Sequence, residues 1–144
     1  MSGPSSPPLL LDTHTLLWMV ENHPRLGTEI AGVLNRAAHE DRIMISAITP
    51  WEIGLLASKK RIDLHSDVMA WVHQALALPG LSLAALSPEI AVASTRLPFE
   101  MHPDLADRIL VATARHLGAA LVTADRALLH LAHAGNFRAI DAEL

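Results

Sequence analysis

The sequence predicts an α/β domain in which helices cover both faces of a mainly parallel sheet. Three observations carry that reading. Short, nearly continuous apolar runs at 9–11, 43–45, 81–86 and 119–123 have the character of strands buried on both faces. Stretches with helical periodicity separate these runs. Acidic residues stand where the runs end or where helices begin, at Asp12, Glu52, Asp107 and Asp125.

Taken in order, residues 1–8 are rich in Pro, Ser and Gly and are expected to be disordered. Leu9-Leu10-Leu11 reads as a strand that ends at Asp12. Thr13 to Val20 follows as a helix with Leu16, Leu17 and Val20 on one side, and His23-Pro24 and Gly27 break it. A helix from about Thr28 to His39 places Ile30, Val33, Leu34 and Ala37 inward. Residues 43–46 form the second strand. Thr49-Pro50-Trp51-Glu52 then reads as a helix start, with Thr49 as N-cap, Pro50 at the first helical position and Glu52 closing a capping box.

Ser66-Asp67 opens the next helix, which Pro79-Gly80 ends, and residues 81–86 supply a third strand. Ser87-Pro88-Glu89 is another N-cap and proline start. A helix from Asp104 or Leu105 to Leu117 is stopped by Gly118. The run 119–123 is the next strand, Asp125 opens a short helix to about Ala132, and Arg138-Ala139-Ile140 is a last edge strand. No internal repeat or second domain is apparent, so residues 9–144 read as one domain.

Composition narrows the function. A chain of 144 residues with 51% apolar content suits a single domain with a sizeable core. No apolar run approaches the ~18 residues needed to span a bilayer, and the first residues do not resemble a secretory signal. Cysteine is absent, which removes disulfides and thiolate metal sites. A soluble cytoplasmic protein is expected. The net charge of −4 excludes a globally cationic nucleic-acid binder, so any such contact rests on a local patch or on a metal. Lys59, Lys60 and Arg61 form the one basic run, which also reads as a solvated helix end.

Each of the four acids has an ordinary explanation. Asp12 and Asp125 suit N-caps, Glu52 suits the capping box, and Asp107 sits in a first turn where acids favour the helix dipole. Their joint placement asks for more. Strand ends and helix starts share the carboxyl edge of a parallel sheet, where open α/β sheets bind ligands. Four carboxylates converging there repel one another, and a hard divalent cation such as Mg²⁺ or Mn²⁺ relieves the repulsion. Asp104, three residues before Asp107, is an auxiliary candidate that also reads as an N-cap or as a partner of Arg108. His14, two residues after Asp12, is placed to line the site. Ser46 and Thr123, at strand ends, are candidates to orient water or phosphate, or simply caps of the following helices. The nine histidines show no zinc-site spacing; His130 and His133 lie three apart on a helix end. Trp18, Trp51 and Trp71 read as core or interface anchors.

Four segments in order resemble PIN-domain proteins of the VapC toxin type: Leu-Leu-Leu-Asp-Thr-His-Thr-Leu-Leu-Trp (9–18), Ile-Ser-Ala-Ile-Thr-Pro-Trp-Glu-Ile (45–53), His-Pro-Asp-Leu-Ala-Asp-Arg-Ile-Leu-Val-Ala-Thr-Ala (102–114) and Leu-Val-Thr-Ala-Asp (121–125). The resemblance spans roughly Leu9 to Phe137. It implies a three-layer α/β/α sandwich and a Mg²⁺- or Mn²⁺-dependent endoribonuclease, the toxin of a type II toxin–antitoxin pair. It further implies an acidic site of Asp12, Glu52, Asp107 and Asp125 supported by Thr123, a homodimer, and a cognate antitoxin that inserts near the acidic pocket. The segment before Leu9 departs from the pattern and carries no motif.

The chemistry expected is in-line attack of water on an RNA phosphodiester with metal assistance. Asp12 and Asp125 are the expected direct ligands, with Glu52 and Asp107 binding directly or through water. One alternative is a catalytically inactive PIN-like scaffold that binds RNA or protein; the full acid set argues against it. A phosphoacceptor receiver domain also gathers acids at a sheet edge, but 123–126 reads Thr-Ala-Asp-Arg and lacks the lysine that class uses.

Overall fold

In the computed structural model, residues 6–144 are described. Residues 1–5, most of the leading segment expected to be disordered, lie outside them. Within the remainder of that segment, the carbonyl of Pro8 accepts from the Ala120 amide at 2.9 Å. The carbonyl of Pro7 accepts from Arg42 Nη1 at 2.8 Å.

The chain alternates strands and helices as β1 (Leu9–Leu11), α1 (Thr13–Glu21), α2 (Thr28–His39), β2 (Ile43–Ser46), α3 (Ile48–Ser58), α4 (Val68–Leu76), β3 (Leu81–Ala84), α5 (Pro88–Thr95), α6 (Leu105–Leu117), β4 (Ala120–Thr123), α7 (Arg126–His133) and β5 (Arg138–Asp141). The five strands form one sheet in the order β3-β2-β1-β4-β5, and every pairing is parallel. Leu9 lies opposite Ile43 on one side and Ala120 on the other.

Strand residues alternate between two cores, as the pleat requires. Leu9, Leu11, Ile43, Ile45 and Val122 face a core with side chains of α1 to α4. Leu10 and Leu121 face the opposite one, with Leu110, Val111 and Ala114 of α6 and Leu128 of α7. Ile90 of α5 packs with Ile109 and Ala112 of α6. The result is the three-layer α/β/α arrangement. Apolar runs two-sidedly buried at 0–3% exposure in β1 explain why that strand shows no polar alternation.

Most helix starts follow their expected caps. The side chains of Asp67, Ser87 and Asp104 accept from amides in the first turns of α4, α5 and α6. Gly118 closes α6 in the left-handed region at φ 63°. The start of α3 differs from expectation. It begins at Ile48, one residue before the proposed Thr49 cap; Ala47 stands at the N-cap without a side-chain bond, and Ser46 Oγ accepts from the Ile48 amide at 3.1 Å. The Thr49 hydroxyl is buried without a partner among the described residues, and Glu52 turns away to a distant threonine, so there is no capping box. Val33 is only half-buried, while Ile30, Leu34 and Ala37 are buried as expected. Among the described residues, no helix is long and apolar enough to cross a membrane.

Candidate active site

The strand order reverses between β1 and β4, which makes the gap beyond their carboxyl ends the topological switch point of the sheet. Asp12 follows β1 directly, and Asp125 follows β4 by one residue. Glu52 comes from the second turn of α3, and Asp107 from the first turn of α6. All four carboxylates line one cleft of ≈ 380 Å³, together with Thr13 and His14. A larger cavity of ≈ 500 Å³ lies against α1, α2 and the start of β3, but its walls are mostly apolar and supply no carboxylate. Chemistry therefore selects the smaller cleft.

Neutral and backbone donors hold three of the acids. Thr15 N–H donates to Asp12 Oδ1 at 2.9 Å, and Thr123 Oγ1 donates to Asp12 Oδ2 at 2.6 Å. Thr15 is itself fixed, since its buried hydroxyl donates to the Val122 carbonyl at 2.9 Å. Thr13 Oγ1 donates to Glu52 Oε1. Asp125 caps α7, with Oδ1 accepting from the amides of Ala127 and Leu128 at 2.9 and 3.1 Å. Asp107 Oδ2 instead meets His102 Nε2 at 2.8 Å.

Burial raises the pKa of Glu52, and the negative charges of Asp104 and Asp12 add to that, while the Thr13 hydrogen bond and His14 oppose it. Asp107 is pushed up to about 6, first by burial and then by Asp104 and Asp125, against the bond from His102. The folded chain therefore holds two carboxyls in a place that disfavours their charge.

The other sequence candidates divide. Thr123 joins the cluster through Asp12, and its Oγ1 also accepts from the Asp125 amide at 3.0 Å. Asp104 is an exposed cap of α6 whose charge reaches Glu52 and Asp107. Its suggested pairing with Arg108 is absent. The Arg108 guanidinium donates to the carbonyls of Ser94 and Met101, where it bridges α5 and the segment before α6. Ser46 Oγ accepts from the Ile48 amide at the start of α3 and does not line the cleft. His130 and His133 border a separate cavity against β5, and among the described residues no three acidic or histidine side chains stand at chelating distance. Two site neighbours escaped the sequence reading. His102 stands five residues before Asp107 with no local pattern that pairs them, and Arg25, which also lines the cleft, lies in an irregular turn.

The donor set fits a hard divalent cation. It is all oxygen at the carboxylates, it is negative, and two of its members are raised in pKa, first by burial and then by neighbouring carboxylates. Its spread also fits an ion such as Mg²⁺, which retains several waters and needs few direct protein bonds.

The chain matches the PIN domain model over residues 9–134. It belongs to the PIN-domain family. A curated relative of this PIN protein is Ribonuclease VapC22 of Mycobacterium tuberculosis (strain ATCC 25618 / H37Rv), 32% identical over 120 residues that cover 83% of this chain and 88% of the relative. Two solved structures share the PIN fold at low identity. One is DNA-bound VapBC from Salmonella typhimurium, with a TM-score of 0.68 and 19% identity over 95% of this chain and 99% of that one. The other is VapBC2 from Rickettsia felis bound to a promoter DNA fragment, with a TM-score of 0.67 and 17% identity over 92% and 97%.

Proposed function

We propose that this PIN-domain protein is a Mg²⁺- or Mn²⁺-dependent endoribonuclease that hydrolyses RNA phosphodiester bonds as the toxin of a type II toxin–antitoxin pair. The observation that carries the proposal is the gathering of Asp12, Glu52, Asp107 and Asp125 on one cleft at the sheet's switch point. The identity to a relative named a ribonuclease supports the substrate class, and the VapBC complexes among its fold neighbours support an antitoxin partner. A homodimer and a cytoplasmic location belong to the same reading.

Asp12 and Asp125 are the proposed direct metal ligands, with Glu52 and Asp107 bound directly or through water. The metal, when bound, lowers the pKa of water and offsets charge on the phosphate. The chain's own groups fix the geometry. Thr123 and Thr15 restrain both oxygens of Asp12, and Thr13 restrains one oxygen of Glu52. Fixed carboxylates lose little freedom on forming the reactive arrangement.

The test is incubation of purified protein with total RNA in Mg²⁺, in Mn²⁺ and in EDTA. Discrete fragments in either metal and none in EDTA are expected. Intact RNA in every condition, with protein folded and free of antitoxin, would favour a scaffold that binds without cleaving.

A further inference from the structure

RNA is a polyanion, and the cleft just described presents four carboxylates to it. A strand that places one phosphate among them needs a cation for a neighbouring phosphate. Three sets of basic residues are candidates. Lys59, Lys60 and Arg61 follow the far end of α3 from Glu52 and do not line the cleft. Arg126 adjoins Asp125 but is committed, donating to Asp141 at 2.8 and 3.0 Å and to Glu143 at 2.9 Å. Arg25 remains, the one Lys or Arg among the described residues that line the cleft.

Arg25 is positioned yet loosely held. Its guanidinium lies over the Trp18 ring at 4.7 Å. Trp18 is 8% exposed and stacks on His23 at 5.6 Å, so the platform is held by packing. The turn that carries Arg25 is braced at both ends, by His23 N–H donating to the Trp18 carbonyl at 2.9 Å and by Gly27 N–H donating to the Ala142 carbonyl at 2.9 Å. The ionic tether is weak by comparison. Nε and Nη2 both reach one oxygen of Glu143 at 3.4 Å, well beyond the ~2.7–2.9 Å of a strong charge-assisted bond. The Arg25 side chain is 59% exposed. Glu143 is anchored by Arg126 instead, so Arg25 can exchange a long contact for a phosphate while Glu143 keeps its partner.

We infer that Arg25 is a substrate-binding residue, whose guanidinium takes a phosphate of the RNA strand next to the one held at the carboxylates. The inference rests on the ribonuclease reading above. Arg25 acts in binding and orientation and carries no proton or bond change.

The test is the affinity of the Asp12→Asn protein, expected to bind without cutting, for a short single-stranded RNA of mixed sequence in Mg²⁺ across a salt series. Adding Arg25→Gln is expected to weaken binding about 5–10-fold and to reduce the slope of log K against log salt by about 0.7, the contribution of one phosphate contact on a single strand. Adding Arg25→Lys should restore the slope. Thermal melting of each variant establishes that the turn is intact. Unchanged affinity and slope in a folded Arg25→Gln protein would overturn the inference while leaving the ribonuclease reading in place. No RNA binding by the parent protein, with no cleavage by the wild type, would overturn both.

Discussion

Thr123 and Asp12 stand 111 residues apart, yet the Thr123 hydroxyl donates to Asp12 Oδ2 at 2.6 Å while accepting from the Asp125 amide at 3.0 Å. One buried hydroxyl thus fixes the acid after β1 and the turn that carries the acid after β4. Thr123→Val keeps the shape of the side chain and deletes both bonds. It is expected to cost about 1–2 kcal/mol of stability, since the Asp125 amide loses its acceptor. RNA cleavage is expected to fall about tenfold or more through misplacement of Asp12. Thr123→Ser should retain most of both. Chemical denaturation and single-turnover cleavage check the pair.

Asp107 makes the metal-free protein pH-sensitive. Its pKa rises from 3.8 to about 6 on folding, mainly through burial. A raised carboxyl contributes stability that is fully present below the unfolded value and is lost as pH rises through the folded value. In EDTA, Asp107→Asn should therefore gain stability relative to wild type as pH goes from about 4 to about 6, with a plateau above. The gain is expected to be about 1–2 kcal/mol, after discounting for partial solvent exposure. Paired melts across pH measure it. A constant difference across that window would remove the electrostatic account of Asp107.

Metal should reverse that penalty. Mn²⁺ or Mg²⁺ at saturating concentration is expected to raise the melting temperature at pH 7, by a free energy of about 1–3 kcal/mol. The effect should fade below about pH 6 as protons compete for Asp107. Asp125→Asn should abolish most of it. Thermal shift with and without EDTA decides this, and an equal shift in Asp125→Asn would place the ion elsewhere.

Gly27 tests the link between the Arg25 turn and the far end of the chain. Its backbone is ordinary at φ −62°, but an added Cβ would fall 2.0 Å from the Leu144 carbonyl oxygen. Gly27→Ala is expected to destabilise by about 1–3 kcal/mol, because backbone must move to make room. It should also weaken RNA binding in the manner of Arg25→Gln. Denaturation and the RNA titration check the two effects.

Much of this architecture was legible in the chain. Leu9–Leu11 and 119–123 read as buried strands because both faces are apolar, and the structure gives strands at Leu9–Leu11 and Ala120–Thr123 with Asp12 and Asp125 just beyond their ends. What local reasoning missed was decided by contacts across the fold. Thr49-Pro50-Trp51-Glu52 has a cap pattern, but the helix already starts at Ile48, and Thr13, 39 residues away, takes Glu52. Arg108 looked like a partner for Asp104 at helical spacing, yet it found two carbonyls of the preceding segment. His102 carried a readable signal, a histidine one proline before the Asp104 cap, but its bond to Asp107 requires the turn to fold back. Arg25 carried none, since its partners are Trp18 in the preceding helix and Glu143, 118 residues on.

The central claim is that four carboxylates from four separate segments act as one metal-dependent centre. Its most direct measurement is single-turnover RNA cleavage in Mg²⁺ by Asp12→Asn, Glu52→Gln, Asp107→Asn, Asp125→Asn and the Asp12→Asn/Asp125→Asn double variant, each verified as folded. The account predicts that each single change lowers the rate by at least about 100-fold. The double variant should be little worse than Asp12→Asn alone, as expected of groups that act as a unit. Near wild-type rates in two or more of the folded single variants would contradict it.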